Sequence, residues 1–133
     1  MDMPIEMQVL AFTLILALVQ IGWAAAARTG ELGLKWNAGP RDGETPPPGK
    51  LAGRLIRAQA NLFETLPIFA AAVIMAQITD KDGVMLTLVG THLYLFGRLI
   101  YLPLYALGVS YLRSLAWIAS LAGLVMVIAA LFV

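Results

Sequence analysis

The chain contains no cysteine and a single histidine, His92. The first absence excludes disulfides, a thiolate nucleophile and cysteine-ligated metals. The second excludes a multi-histidine metal centre within one subunit, so no metal is expected. Any thiol chemistry must arrive with a substrate. Charge is scarce too: 13% of the residues are charged, against about a quarter in a soluble domain. A net charge of +1 with no basic run gives nucleic acid nothing to hold. What remains is apolar. Of 133 residues 60% are hydrophobic, and the mean hydropathy is +0.82. The composition predicts an all-α integral membrane protein, read as one unit over residues 1–133.

Four apolar segments separate, at about 5–27, 53–79, 84–105 and 112–133, each near the ~20 residues that a span requires. They predict a four-helix bundle. The first could pass for a signal peptide, but Asp2 and Glu6 replace a basic leader and the apolar run is too long. A retained first helix is expected. Between the first two spans lies a polar stretch with Gly39-Pro40 and Pro46-Pro47-Pro48-Gly49, read as a loop. Asp80-Lys81-Asp82-Gly83 reads as a tight turn. Pro67 and Pro103 fall inside or near the end of apolar segments, where a kink or a stop is possible.

Basic residues set the expected topology. Residues 28–57 carry six Lys or Arg against three acids, and residues 98–113 add two arginines and no acid. The positive-inside rule puts these regions in the cytoplasm and both termini outside. That orientation gathers polar groups at one depth. Arg57, Asn61 and Glu64 fall within a sector of roughly 60° on the second helix. Arg98, Tyr101 and Tyr105, spaced by three and four, share a face of the third. Arg28 closes the first helix and Arg113 opens the fourth.

Four arginines against one carboxylate, Glu64, suit a ligand with more negative than positive charge. Arginine grips carboxylates through its planar fork. Asn61 and Glu64 can accept from an ammonium group, and the tyrosines can donate to oxygen or sulfur. A hundredfold gain in thiolate needs roughly 2.7 kcal/mol, which one close cation at low effective dielectric can supply. Each residue also has a plainer reading. Lys35, Arg41, Lys50 and Arg54 read as headgroup-seeking topology residues, and Arg28 and Arg113 admit the same role. Glu64 can pair with Arg57 or Arg98 to staple helices, and Asn61 can glue helices together. Tyr111 and Trp117 read as belt aromatics, as Tyr101 and Tyr105 also can, and His92 as a packed polar residue. Convergence at one depth favours a site.

Two motifs carry a family resemblance. Arg57-Ala-Gln-x-Asn61-x-x-Glu64-x-x-Pro67-x-Phe69 resembles the second-helix signature of the MAPEG family, the membrane-associated proteins of eicosanoid and glutathione metabolism. Tyr94-Leu-Phe-Gly-Arg98-Leu-Ile-Tyr101, with Tyr105 following, resembles its third helix. The likeness is closest to the microsomal glutathione transferase and leukotriene synthase branch. It implies a homotrimer in the membrane lipid, for a bacterial-type member the inner membrane. It also implies glutathione held between subunits and a lipophilic co-substrate entering from the bilayer. By position, Arg28, Arg57, Gln59, Asn61, Glu64, Tyr101 and Tyr105 correspond to glutathione contacts. Gln59 lies about 200° around the helix from Arg57 and so faces a different neighbour. The thiolate-stabilising role falls to Arg113, with Arg98 as the fallback. Three positions depart from the pattern. Arg113 differs by about a residue in its spacing from Tyr105, Thr65 stands where the leukotriene branch has an aromatic, and Ala60 where the prostaglandin-forming branch has arginine.

The expected function is therefore a glutathione-dependent transferase or peroxidase for lipophilic electrophiles or hydroperoxides, a detoxification chemistry. The alternative is a non-catalytic lipid-binding scaffold on the same frame. A small four-helix transporter fits less well. It would need a mid-helix carboxylate, and the first helix offers only Glu6 at its edge.

Overall fold

The computed structural model describes residues 2–133, all helix and turn with no strand among them. Its elements are α1 (Ile5–Leu32), α2 (Leu34–Ala38), α3 (Lys50–Ile78), α4 (Met85–Ala106) and α5 (Ser110–Ala130). All but α2 are long and apolar enough to cross a bilayer. Together they make the chain an integral, multi-pass membrane protein. At 1.5 Å per residue, the 28 residues of α1 and 29 of α3 reach roughly 42–44 Å. That exceeds a hydrocarbon core of ~30 Å, so their charged ends stand clear of it.

Those ends revise the expected boundaries. The first helix runs on past residue 27 because Arg28, Thr29 and Glu31 are compatible with helix, and it stops at Gly33 with φ +92°. Glu31 ties the extension down: one oxygen pairs with Arg28 at 3.4 Å, and the other accepts from the Gly49 N–H at 2.7 Å. The connecting stretch is not all loop, since α2 lies within it. Neither internal proline stops a helix. α3 passes through Pro67 and α4 through Pro103. The end of α4 comes at Gly108, φ +78°, where the Arg54 guanidinium lies against the turn and donates to the Ala106 carbonyl at 3.3 Å. Arg54 is thus a helix cap rather than a free headgroup cation.

At the opposite end Glu6 lies in the first turn of α1, at the edge of the helix as expected, but it does not face solvent. It is 3% exposed, and it accepts from Thr87 Oγ1 at 2.8 Å and from the Gly83 N–H at 2.5 Å. A buried carboxylate needs such donors, and these bind α1 to the turn between α3 and α4. The core stripe of α3 is Leu55, Ala58, Leu62 and Phe69. It packs on α1 and α4, while the outer surface of the bundle stays apolar, with Phe12, Leu18, Ile78 and Leu115 exposed. That suits lipid.

The α4–α5 pair is the tightest packing in the bundle, because small residues face one another. A Cβ placed on Gly123 would stand 2.4 Å from the Gly90 carbonyl oxygen, and one on Gly97 2.9 Å from Ser120. Close backbone approach through small residues is how helices associate in lipid. Gly22 of α1, by contrast, has nothing within 4 Å of where its Cβ would be. Gly123→Ala should therefore destabilise the protein by about 1–3 kcal/mol, read as a lower unfolding midpoint in detergent. Gly22→Ala should leave the midpoint unchanged or raise it. Equal midpoints for the two variants would contradict the close α4–α5 packing.

Candidate functional site

The most enclosed charged group is Arg98, 0% exposed in the middle of the bundle. A cation there must be satisfied within the protein. Its Nη1 donates to Asn61 Oδ1 at 2.7 Å, and its Nη2 to the Asn61 carbonyl at 3.2 Å and Thr65 Oγ1 at 3.1 Å, while its buried Nε has no hydrogen-bond partner among the described residues. The rings of Tyr94 and Tyr101 flank it at 5.9 and 4.9 Å, within cation–π range. Thr65 also meets the Tyr94 hydroxyl at 2.7 Å, and Tyr94 stacks on Phe69 with centroids 3.9 Å apart. These contacts bolt α3 to α4. They also account for Thr65, whose hydroxyl fills the place of an expected aromatic.

One helical turn further along α4 the layer opens. A cavity of about 260 Å³ is lined by Asn61, Tyr101, Tyr105, Arg113, Ser114 and Trp117. Tyr105 organises it. Arg57 Nε donates to its hydroxyl at 3.2 Å, the Arg113 guanidinium lies 4.6 Å over its ring, and Tyr101 meets it edge-on at 5.4 Å. Trp117, expected in the interfacial belt, instead forms part of this wall. Among the described residues the one ion pair is Arg28–Glu31. Arg57, Arg98 and Arg113 consequently have no carboxylate partner, and no acid lines the cavity.

Glu64 departs from expectation. It is exposed on the isolated chain, it pairs with neither Arg57 nor Arg98, and it lies outside the cavity lining. The reason is helical phase. Glu64 stands two residues beyond the fully buried Leu62, about 200° around the helix, so it faces away from the bundle core.

Arg28 and Gln59 are brought together elsewhere. They line a second cavity, also about 260 Å³, between the ends of α1 and α3, with Trp36, Asn37 and Arg41 from α2 and the loop after it. Of the nine candidate residues, then, four line the first cavity, and Arg57 and Arg98 support it from the side and from behind. Two line the second, and Glu64 projects outward. The interhelical loop contributes Trp36, Asn37 and Arg41, which residue-by-residue reading assigned to headgroups or did not single out. His92 packs as expected, its Nδ1 2.7 Å from the Leu88 carbonyl and its ring near Phe96.

Fold and site together define a four-span membrane protein with an arginine–tyrosine layer near one end. The sequence model of the MAPEG family matches residues 9–133. The chain belongs to the MAPEG family, and membership suggests a glutathione-related transferase or synthase type of function. No curated protein matches it.

The Arg98 clasp makes a quantitative prediction. Thr65→Val removes an acceptor from a buried guanidinium and a partner from Tyr94. It should cost about 1–3 kcal/mol of stability, while Thr65→Ser should retain most of it. Comparing thermal unfolding of the two variants in detergent checks this, and an unaffected valine variant would contradict the clasp.

Proposed function

We propose that the protein is a membrane-embedded, glutathione-dependent transferase or peroxidase acting on lipophilic electrophiles or hydroperoxides. Glutathione is bound between adjacent subunits of a homotrimer at the cytoplasmic side. The observation that carries this reading is the division of the candidate residues into two incomplete half-sites on one chain. Arg57, Asn61, Tyr101, Tyr105 and Arg113 belong to the first, and Arg28 and Gln59 to the second. Each half presents cationic groups without acids in its lining. Glu64, exposed near the first half, is left for an ammonium group supplied from outside the chain. A zwitterionic peptide with two carboxylates matches that demand.

Within this reading the roles follow from access. Arg98 is enclosed and committed to Asn61 and Thr65, so it is a positioning residue that orients Asn61. Arg113 is half-buried, lies in the cavity wall against the Tyr105 ring, and has no hydrogen-bond or ion-pair partner among the described residues. Its free guanidinium donors are available to stabilise a thiolate, the activated nucleophile that attacks an electrophilic carbon or a peroxide oxygen. Tyr105 holds Arg113 over its ring and Arg57 at its hydroxyl, which fixes the distance between the two cations. For the lipophilic partner the neighbouring apolar groove is at hand. Ile100, Leu104, Leu112 and Ala116 line a space of about 470 Å³ between α4 and α5, and Leu104 and Leu112 adjoin Tyr105 and Arg113 in sequence. The groove opens where lipid would stand.

The test is a glutathione titration of detergent-purified protein, following thiolate absorbance in the ultraviolet together with calorimetric affinity. Wild type should bind and show thiolate. Arg113→Ala should bind within a few-fold of wild type, lose the thiolate signal, and turn over about a hundredfold more slowly. A thiolate signal that survives in Arg113→Ala removes that residue from the role. Absence of glutathione binding in wild type would overturn the enzymatic reading and leave the lipid-binding scaffold.

A further inference from the structure

The cavity that holds Arg28 and Gln59 has a feature that those two residues do not explain. Trp36 lies between two guanidinium groups, with Arg41 4.7 Å and Arg28 5.9 Å from its ring. Its indole Nε1–H is shut off from solvent and has no acceptor in the chain. Arg41 is held in place from one side. Its Nη2 donates to Asn37 Oδ1 at 2.8 Å and to the Asn37 carbonyl at 3.0 Å, and its Nε reaches the same carbonyl at 3.3 Å. The remaining edge of the fork has no partner. Its backbone sits at φ +60°, a region that a residue other than glycine occupies rarely and at a cost. Arg28 is tied to the loop by a close hydrogen bond from its Nη2 to the Pro46 carbonyl, with weaker contacts to Glu31 at 3.4 Å and Thr45 at 3.5 Å. A headgroup-seeking arginine needs none of this fixing.

We propose that Arg41 and Trp36 complete the second half-site and receive the glycyl carboxylate of glutathione, making Arg41 a determinant of which thiol peptide is accepted. This rests on the glutathione reading above. The end assigned follows from charge. The γ-glutamyl terminus carries an ammonium beside its carboxylate and needs an acid nearby, and Glu64 stands with the other half-site. No acid lines the Arg28–Arg41 cavity, so it suits the terminus that is a bare carboxylate. Two guanidiniums and an unpaired N–H donor provide for both oxygens. The volume, about 260 Å³, has room for several waters of ~30 Å³ each and therefore for a peptide terminus. Gln59 lies beside it with an amide that can meet the adjacent peptide group.

Glutathione and its glycyl ethyl ester separate the possibilities by calorimetry in detergent. Arg41→Ala should weaken glutathione about tenfold or more and leave the ester's affinity at its wild-type value, because the ester has already lost that contact. Arg41→Lys should recover part of the loss. Glutathione should also change a tryptophan fluorescence component that is missing in Trp36→Phe, and the ester should change it less. Arg41 is exposed on a surface loop, so its variants are expected to fold; matching unfolding midpoints confirm that. Equal weakening of glutathione and ester in Arg41→Ala, or no weakening of either, overturns the assignment while the glutathione reading stands. A Trp36 response to anionic-lipid nanodiscs with none to glutathione overturns it in favour of a lipid headgroup. If wild type binds no glutathione by either readout, both readings fall together.

Discussion

Burial of the Arg98 guanidinium is the constraint on which the site depends. A cation placed among four apolar helices needs partners for its donors, and here both terminal nitrogens find theirs on a single neighbouring helix, while the buried Nε has none. Asn61 offers both its side-chain and main-chain oxygens, and Thr65 its hydroxyl. Those contacts fix the register of α3 against α4. Any slide of one helix along the other strands the charge, at a cost of several kcal/mol for an uncompensated buried ion. With the register fixed, Tyr101 and Tyr105 come to the edge of α3, where Arg57 reaches Tyr105. The glycine-mediated approach of α5 to α4 then brings Arg113 over the same ring. The geometry at the mouth of the first cavity follows from the clasped guanidinium behind it.

Outside that clasp the layer is deliberately unbalanced. The helix ends place cations around two cavities without placing acids in either lining; Glu31 pairs with Arg28 beside the second, and the first has no carboxylate partner for its arginines. Glu31 ties α1 to the start of α3, and Glu6 ties α1 to the far turn. Around the first cavity, Arg57 and Arg113 are held near one tyrosine without a carboxylate partner, and like charges so placed favour an anion that offsets them. The same imbalance explains the rigid fittings. Tyr105 spaces Arg57 from Arg113, and Asn37 with Trp36 anchors Arg41. Flexible surface arginines would lose more side-chain entropy on meeting a ligand.

Much of this was legible in the residues. Four spans follow from hydropathy, and the shared depth of Arg28, Arg57, Arg98 and Arg113 follows from helix rise and charge counting. Spacing also separated Gln59 from Arg57: Gln59 lines the second cavity, while Arg57 reaches Tyr105 beside the first. What could not be read depends on which faces become buried. Helical phase put Glu64 with Arg57 and Asn61, and Arg57 and Glu64 do share an exposed face, but only the packing of α4 over Asn61 and Thr65 shows that this face lies at the edge of the bundle rather than inside it. Glu6 stands at the edge of α1 as expected, but its burial was not legible because its partners, Gly83 and Thr87, are about eighty residues away in sequence. Arg54 looked like a headgroup anchor because nothing local reveals that a helix end fifty-two residues on brings Ala106 to it, and Arg41 because its contacts to Asn37 and Trp36 depend on the short helix within the loop. Thr65 signalled its role only through the aromatic it replaces.

The central claim is that one binding site is built from two copies of the chain, and a complementation experiment tests it most directly. One chain carries Arg28→Ala with Gln59→Ala, and the other Arg57→Ala with Arg113→Ala. Each alone should bind glutathione only weakly and form no thiolate. Co-expressed and purified through two different tags, a mixed trimer contains one interface at which both halves are intact. It should recover a single site of wild-type affinity with a thiolate signal. Failure of the mixed protein to exceed either parent, with trimers of both composition confirmed by mass, would contradict a site shared between subunits.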